Sequence, residues 1–166
     1  MSKSSLRVAR IGARTPTDIV DSWKLETGVG FLVRLVEARY DLLYQTMTDQ
    51  SEITPRQFGI LLVLHQCGPL TLSALAEGIC CDRNTLSELV KRMTARKLIS
   101  KKPNANDGRS AYVAITMQGS TALMSLAPAA KRLQDVMLAP LAPDDRAAFL
   151  ECLRAVATAP LPTGII

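Results

Sequence analysis

Between Thr54 and Thr116 the chain is punctuated so closely that each segment has little choice of backbone. "SEITPRQFGILLVLHQCG" puts Thr54 where an N-cap hydroxyl belongs and Pro55 at the first helical position, and it stops at Cys67-Gly68-Pro69. "LTLSALAEGI" predicts a short helix capped by Thr71, with Leu72, Leu75, Ala76 and Ile79 turned inward. After a brief turn, "CDRNTLSELVKRMTARKLI" predicts a third helix capped by Asp82. Its Leu86, Leu89, Val90 and Met93 recur at three- and four-residue steps. Arg83, Asn84, Ser87, Glu88, Lys91 and Arg92 lie off that stripe.

Two short helices joined by a tight turn, the second polar and basic on its free side, form a helix-turn-helix pattern. Leu98–Lys102 and Ala111–Ile115 then read as two strands around an eight-residue polar connection, a hairpin with a long tip. Thr116 caps a long Ala/Leu-rich helical region in which Pro128 either kinks the helix or opens a new one. "PDDRAAFLECLRAVA", residues 143–157, is a last amphipathic helix with acids in its first turn. Upstream, Trp23 to about Met47 reads as one helix of ~37 Å. Its apolar face, through Phe31, Leu32, Leu35, Val36, Tyr40, Leu43 and Met47, is wider than one core needs, so part of it packs on another subunit. The fold class is mainly α with a small β-hairpin.

A chain of 166 residues with 48% hydrophobic but only 4% aromatic residues builds its core from Leu, Ala, Val, Ile and Met, a mix that suits helices. Residues 17–166 read as one continuous domain, preceded by a basic flexible arm, residues 1–16. That arm is rich in Ser and Arg with no acid before Asp18, as in a mitochondrial transit peptide. No stretch reaches the ~18–20 apolar residues of a membrane span, so a cytoplasmic protein with no membrane partner is expected. Cys67, Cys80, Cys81 and Cys152 have no CxxC spacing, and at least three are expected to be buried as small apolar groups. GxSxG, HExxH and phosphate-cradling glycine loops are missing, and the single histidine, His65, has no catalytic company. Neither an enzyme nor a metal or other cofactor is expected.

The charge is local. The chain carries +5 overall, yet Arg83–Arg109 holds eight Lys or Arg against Glu88 and Asp107. A stripe this concentrated points to a polyanion. A capped basic helix fits a major groove ~12 Å wide. Asn84 suits adenine, Arg83 suits guanine, and Thr85 and Ser87 suit bases or phosphates. Lys91, Arg92, Lys101 and Lys102 suit phosphates, which position a helix without encoding sequence. An arginine on the hairpin tip can enter an adjacent minor groove; a turn residue at Asp107 and a solvated charge at Arg109 are the plainer alternatives.

"LSALAEGI", "CDRNTLSELVKRMTARKLI", "NDGRSAYVAI" and "TMQG" occur in the order and spacing of one known pattern. Residues 54–119 resemble the winged helix-turn-helix of the MarR family of bacterial transcription regulators. The resemblance implies that the helix from Asp82 is the recognition helix, that Arg109 is the wing arginine of the minor groove, and that Asp107 orients it. Two positions depart from the pattern: Cys80 and Lys97 stand where glycine is usual. The resemblance also implies a winged helix-turn-helix at about 54–116 and dimerisation helices at about 21–47 and 117–158. It further implies a homodimer on a palindromic double-stranded DNA operator, acting as a repressor that a small, often aromatic and anionic, effector releases. Trp23, Arg34, Arg39, Tyr40 and His65 are the candidate effector-binding groups, since aromatic surface and positive charge suit an aromatic carboxylate. Two other readings stay open: a regulator of the same fold sensing oxidation through Cys80 or Cys81, and a winged-helix protein-interaction module that does not bind DNA.

Overall fold

The computed structural model describes residues 15–79, 81–104 and 107–160, with only the backbone described at 104 and 107–110. The chain divides into two compact units, one ending at Arg39 and the other beginning at Tyr40.

The first unit is helical. Helix α1, Pro16–Ser22, opens with a capping box in which Thr15 and Asp18 bond reciprocally. A single 3-10 turn follows at Leu25–Thr27. Helix α2, Val29–Met47, crosses into the second unit. The uninterrupted helix expected from Trp23 therefore begins six residues later. Trp23, Lys24 and Gly28 are all extended, and Gly28 ends the 3-10 turn by donating to the Leu25 carbonyl. None of the described residues up to Arg39 is buried. Leu32, Val33, Leu35 and Val36 leave half or nearly half of their surface uncovered.

The second unit holds the core. Helix α3, Pro55–Cys67, starts as expected at a Thr54 cap with Pro55 at N1; Gln57 completes the capping box. A two-residue strand β1, Leu70–Thr71, leads into α4, Leu72–Gly78, capped by Thr71. Helix α5 spans Arg83–Ala95. Strands β2, Ile99–Asn104, and β3, Asp107–Ile115, form a three-stranded antiparallel sheet of order β1-β3-β2. The hairpin was expected to have an eight-residue connection. Instead the strands run on until Asn104 pairs with Asp107, with a register shift after Pro103. Alternation of side chains continues through polar residues here, and polarity alone does not end a ladder. Strand β1 was not anticipated because two residues carry no period.

Helix α6, Met117–Leu138, is capped by Thr116 and runs through Pro128 without opening a second helix. Helix α7, Asp145–Thr158, has no buried residue. The core joins Ile60, Leu61 and Leu64 of α3 to Leu75, Leu86, Val90, Met93, Ile99, Val113 and Leu123. Gly119 lets α6 pass close to β2, since a Cβ there would overlap the Leu98 carbonyl oxygen.

Candidate nucleic-acid interface

Helix α5 is fixed at both ends. At its start, the Thr85 amide donates to Asp82 Oδ1 over 2.9 Å. The Thr85 hydroxyl, then the backbone donors, hold the Asp82 carboxyl below the usual carboxylate range. At its end, Arg96 Nη2 donates to Glu52 Oε2 over 2.9 Å and Nη1 to the Glu52 carbonyl over 3.0 Å. Lys97 then turns the chain at φ 57°, the left-handed region that favours glycine. Thr116 closes the same corner by donating to the Lys97 carbonyl at 2.6 Å.

Between those anchors, Leu86, Leu89, Val90 and Met93 are buried. Arg83, Asn84, Ser87, Glu88, Lys91 and Arg92 are exposed on the other side, and Thr85 is half-buried. They rise ~14 Å along the helix at 1.5 Å per residue, one polar ridge of the length a groove accepts. Among the described residues the ion pairs are Arg96–Glu52 and Lys131–Asp135, so Arg83, Lys91 and Arg92 keep their charges unpaired there. Arg96, counted in the basic stripe from sequence, belongs instead to the scaffold.

Lys101 and Lys102 are both exposed on β2. Lys101 pairs with Val113 and Lys102 with Tyr112, so the two ammonium groups leave opposite faces of the hairpin. Asp107 and Arg109 lie at the start of β3 rather than on a long loop; their side chains fall outside the described residues. Cys80 falls outside as well.

The expected burial of the cysteines does not hold. Cys67 and Cys152 are exposed and Cys81 is half-buried. Cys67 is the last residue of α3, and Cys152 sits on a helix that buries nothing. Of the groups considered for an effector, Trp23, Arg34 and Arg39 are exposed in the first unit. In the second, Tyr40 is half-buried and stacks on Tyr44 with ring centres 6.3 Å apart, and burial raises its hydroxyl pKa. His65 is exposed in the last turn of α3. Sequence reading missed Tyr44, which is fully buried and edge-on to Phe58. Its place on the inward side of α2 was open to periodicity.

A short helix, a tight turn, a capped basic helix with a bare polar ridge and a β-hairpin behind it define a winged helix-turn-helix protein. The MarR family profile matches residues 53–111. The repressor NicR of Pseudomonas putida is 27% identical over 93% of this chain and 94% of its own length. The PcaV transcriptional regulator of Streptomyces coelicolor, solved with its natural ligand, is 33% identical. It matches 83% of this chain and 97% of its own with a TM-score of 0.78. BpsR of Bordetella bronchiseptica, whose DNA binding is regulated by 6-hydroxynicotinic acid, is 25% identical over 83% of this chain and 99% of its own, at a TM-score of 0.79. The chain belongs to the MarR family and is a DNA-binding transcription regulator. Among the described residues, no helix is long and apolar enough to cross a membrane.

Proposed function

We propose that the chain is a homodimeric repressor that occupies a palindromic operator and leaves it when a small aromatic acid binds. The observation that carries this reading is the pairing of a bare basic ridge on α5 with uncovered apolar faces elsewhere. Leu32, Leu35 and Val36 on α2, and Phe149, Leu150, Leu153 and Val156 on α7, leave large apolar side chains in water. Surfaces of that kind mark protein contacts, and a two-fold dimer sets two recognition helices about one DNA turn apart, ~34 Å.

In this reading Arg83 and Asn84 address base edges, with Thr85, Ser87 and Glu88 beside them. Lys91, Arg92, Lys101 and Lys102 meet phosphates. Arg109 enters the minor groove, braced by Asp107. Residues 17–166 act as one domain, with the winged helix-turn-helix at about 54–116 and dimerisation helices on either side. Trp23, Arg34, Arg39, Tyr40 and His65 contribute to effector recognition. Support for the repressor and the acid comes from relatives: NicR is a repressor, and BpsR answers to 6-hydroxynicotinic acid. An acid releases DNA only if it binds the released state more tightly than the DNA-bound one.

The test is selection of genomic fragments by the purified chain, with and without a panel of aromatic acids, beside a mass measurement by light scattering. Expected are a particle of twice the 18.0 kDa chain, a palindromic consensus, and loss of the fragments with one class of acid. A monomer, or fragments without two-fold symmetry, would contradict the proposal.

A further inference from the structure

The β2–β3 hairpin carries cations on both of its faces. Lys101 lies opposite Val113 and alternates with Ile99, and both of those are buried. Ile99 shares a core with Leu86, Val90 and Met93 of α5, so Lys101 leaves the α5 side of the hairpin. Lys102 lies opposite Tyr112, which pairs in turn with Thr71 of β1, so this row occupies the outer face. Both lysines are exposed, and neither joins an ion pair among the described residues. Residues 98–103 and 111–115 contain no acid.

The placement of these side chains fits a groove with a phosphate strand on each wall. Asn104 pairs with Asp107 nearest the tip, and Lys102 and Lys101 stand two and three residues behind it. At ~3.3 Å per residue that is roughly 7 and 10 Å, against a minor groove ~7.5 Å deep and ~6 Å wide. A tip on the groove floor therefore brings both lysines level with the phosphate rims. Paired strands lie ~4.8 Å apart before any side chain is added. The hairpin is thus too wide to lie across the groove and enters with its two faces turned to the two walls. Lysines on an edge strand also deter pairing with another sheet, but that leaves Tyr112 unexplained. Its side chain is 36% exposed and belongs to no part of the core cluster. Cross-strand partners stand ~5 Å apart at Cβ, so its ring reaches the Lys102 stem and its hydroxyl adds a donor to the same face.

We infer that the hairpin straddles the minor groove, with Lys101 on one phosphate strand and Lys102 and Tyr112 together on the other. This rests on the reading above that the hairpin tip enters that groove. Lys101, on the α5 side, meets the strand that separates the hairpin's groove from the groove of α5. Lys102 and Tyr112 meet the far strand, and gripping both strands fixes how deep and at what angle the hairpin sits. The Tyr112 hydroxyl donates to a phosphate oxygen without carrying charge, so its contact releases no counterion.

The test uses a duplex selected by the purified chain, resynthesised with one neutral methylphosphonate at a time along each strand of a half-site. Wild-type affinity should drop at phosphates on both walls of the minor groove. Lys101→Ala should erase that drop on one strand and Lys102→Ala on the other, each lowering the salt slope by about 1. Tyr112→Phe should weaken binding about two- to tenfold and blunt the drop on the Lys102 strand alone, with salt slope and melting temperature unchanged. If both lysines map to the same strand, the straddle is wrong. If Tyr112→Phe binds as the wild type does, its hydroxyl meets no phosphate and that assignment is wrong. Arg109→Ala separates these failures from failure of the wider reading. Weakened binding with both lysines on one strand overturns the straddle alone. Unchanged binding, with no sensitive phosphate along the minor groove, overturns the minor-groove hairpin and the straddle with it.

Discussion

Arg96 grips Glu52 twice, through the carboxylate and the backbone carbonyl, and so ties the end of α5 to the loop between α2 and α3. That loop contains Asp49 and Gln50, both at positive φ, so the grip holds a segment whose backbone is costly to keep. Arg96 is spent inside the molecule, whereas Lys91 is exposed and unpaired among the described residues. Arg96→Ala should therefore leave the salt dependence of DNA binding unchanged. Lys91→Ala should reduce its log–log slope by about 1. Because the Glu52 side chain is 86% exposed, Glu52→Ala should cost less than about 1 kcal/mol in urea unfolding.

The Asp82 cap makes a pH-dependent prediction. Its folded pKa lies below the unfolded value, so its contribution is present above about pH 4 and fades as pH falls through the depressed value. Asp82→Ala should lower the melting temperature at pH 7 and approach the wild type in acid. Asp82→Asn, which caps without titrating, should keep the melting temperature and lose that part of the acid dependence.

Tyr44 gives the opposite sign. Burial first, then the charge of Tyr40, pushes its hydroxyl pKa up to about 12. The folded state therefore holds the proton longer than the unfolded one. The stability this provides is complete below pH 10 and is lost as pH rises through about 12. The hydroxyl has no partner among the described residues. Tyr44→Phe should thus be neutral or stabilising at pH 7 and should flatten the alkaline limb of the unfolding profile.

Two backbone positions near the hairpin should respond in opposite directions. Lys97→Gly removes a side chain from a φ of 57° and should stabilise by about 1 kcal/mol. Gly119→Ala drives a methyl into the Leu98 carbonyl and should cost about 1–3 kcal/mol or more. Urea unfolding of both variants checks the pair.

What the sequence made legible followed from local chemistry. Thr54, Thr71, Asp82 and Thr116 each cap the helix assigned to them, because the cap and the first apolar step lie within one turn of each other. The ridge of α5 could be read because a 3.6-residue period separates Leu86, Leu89, Val90 and Met93 from the charges. Longer-range facts were hidden. Arg96 and Glu52 are 44 residues apart, and nothing local distinguishes Arg96 from Arg92. Cys67 and Cys152 looked like core residues by type, yet their exposure depends on what α3 and α7 pack against. The hairpin tip was overdrawn because Asn104 and Asp107 look like loop residues, and only cross-strand pairing shows that they close the ladder.

The central claim is that the basic face of α5 meets the phosphates of duplex DNA. Its most direct test is the affinity of the purified chain for a selected operator fragment, measured from about 50 to 300 mM salt. Log affinity should fall linearly with log salt, by about 0.9 for each phosphate neutralised, and several phosphates should be counted this way. A flat plot, or tight binding that ignores salt, would contradict the account.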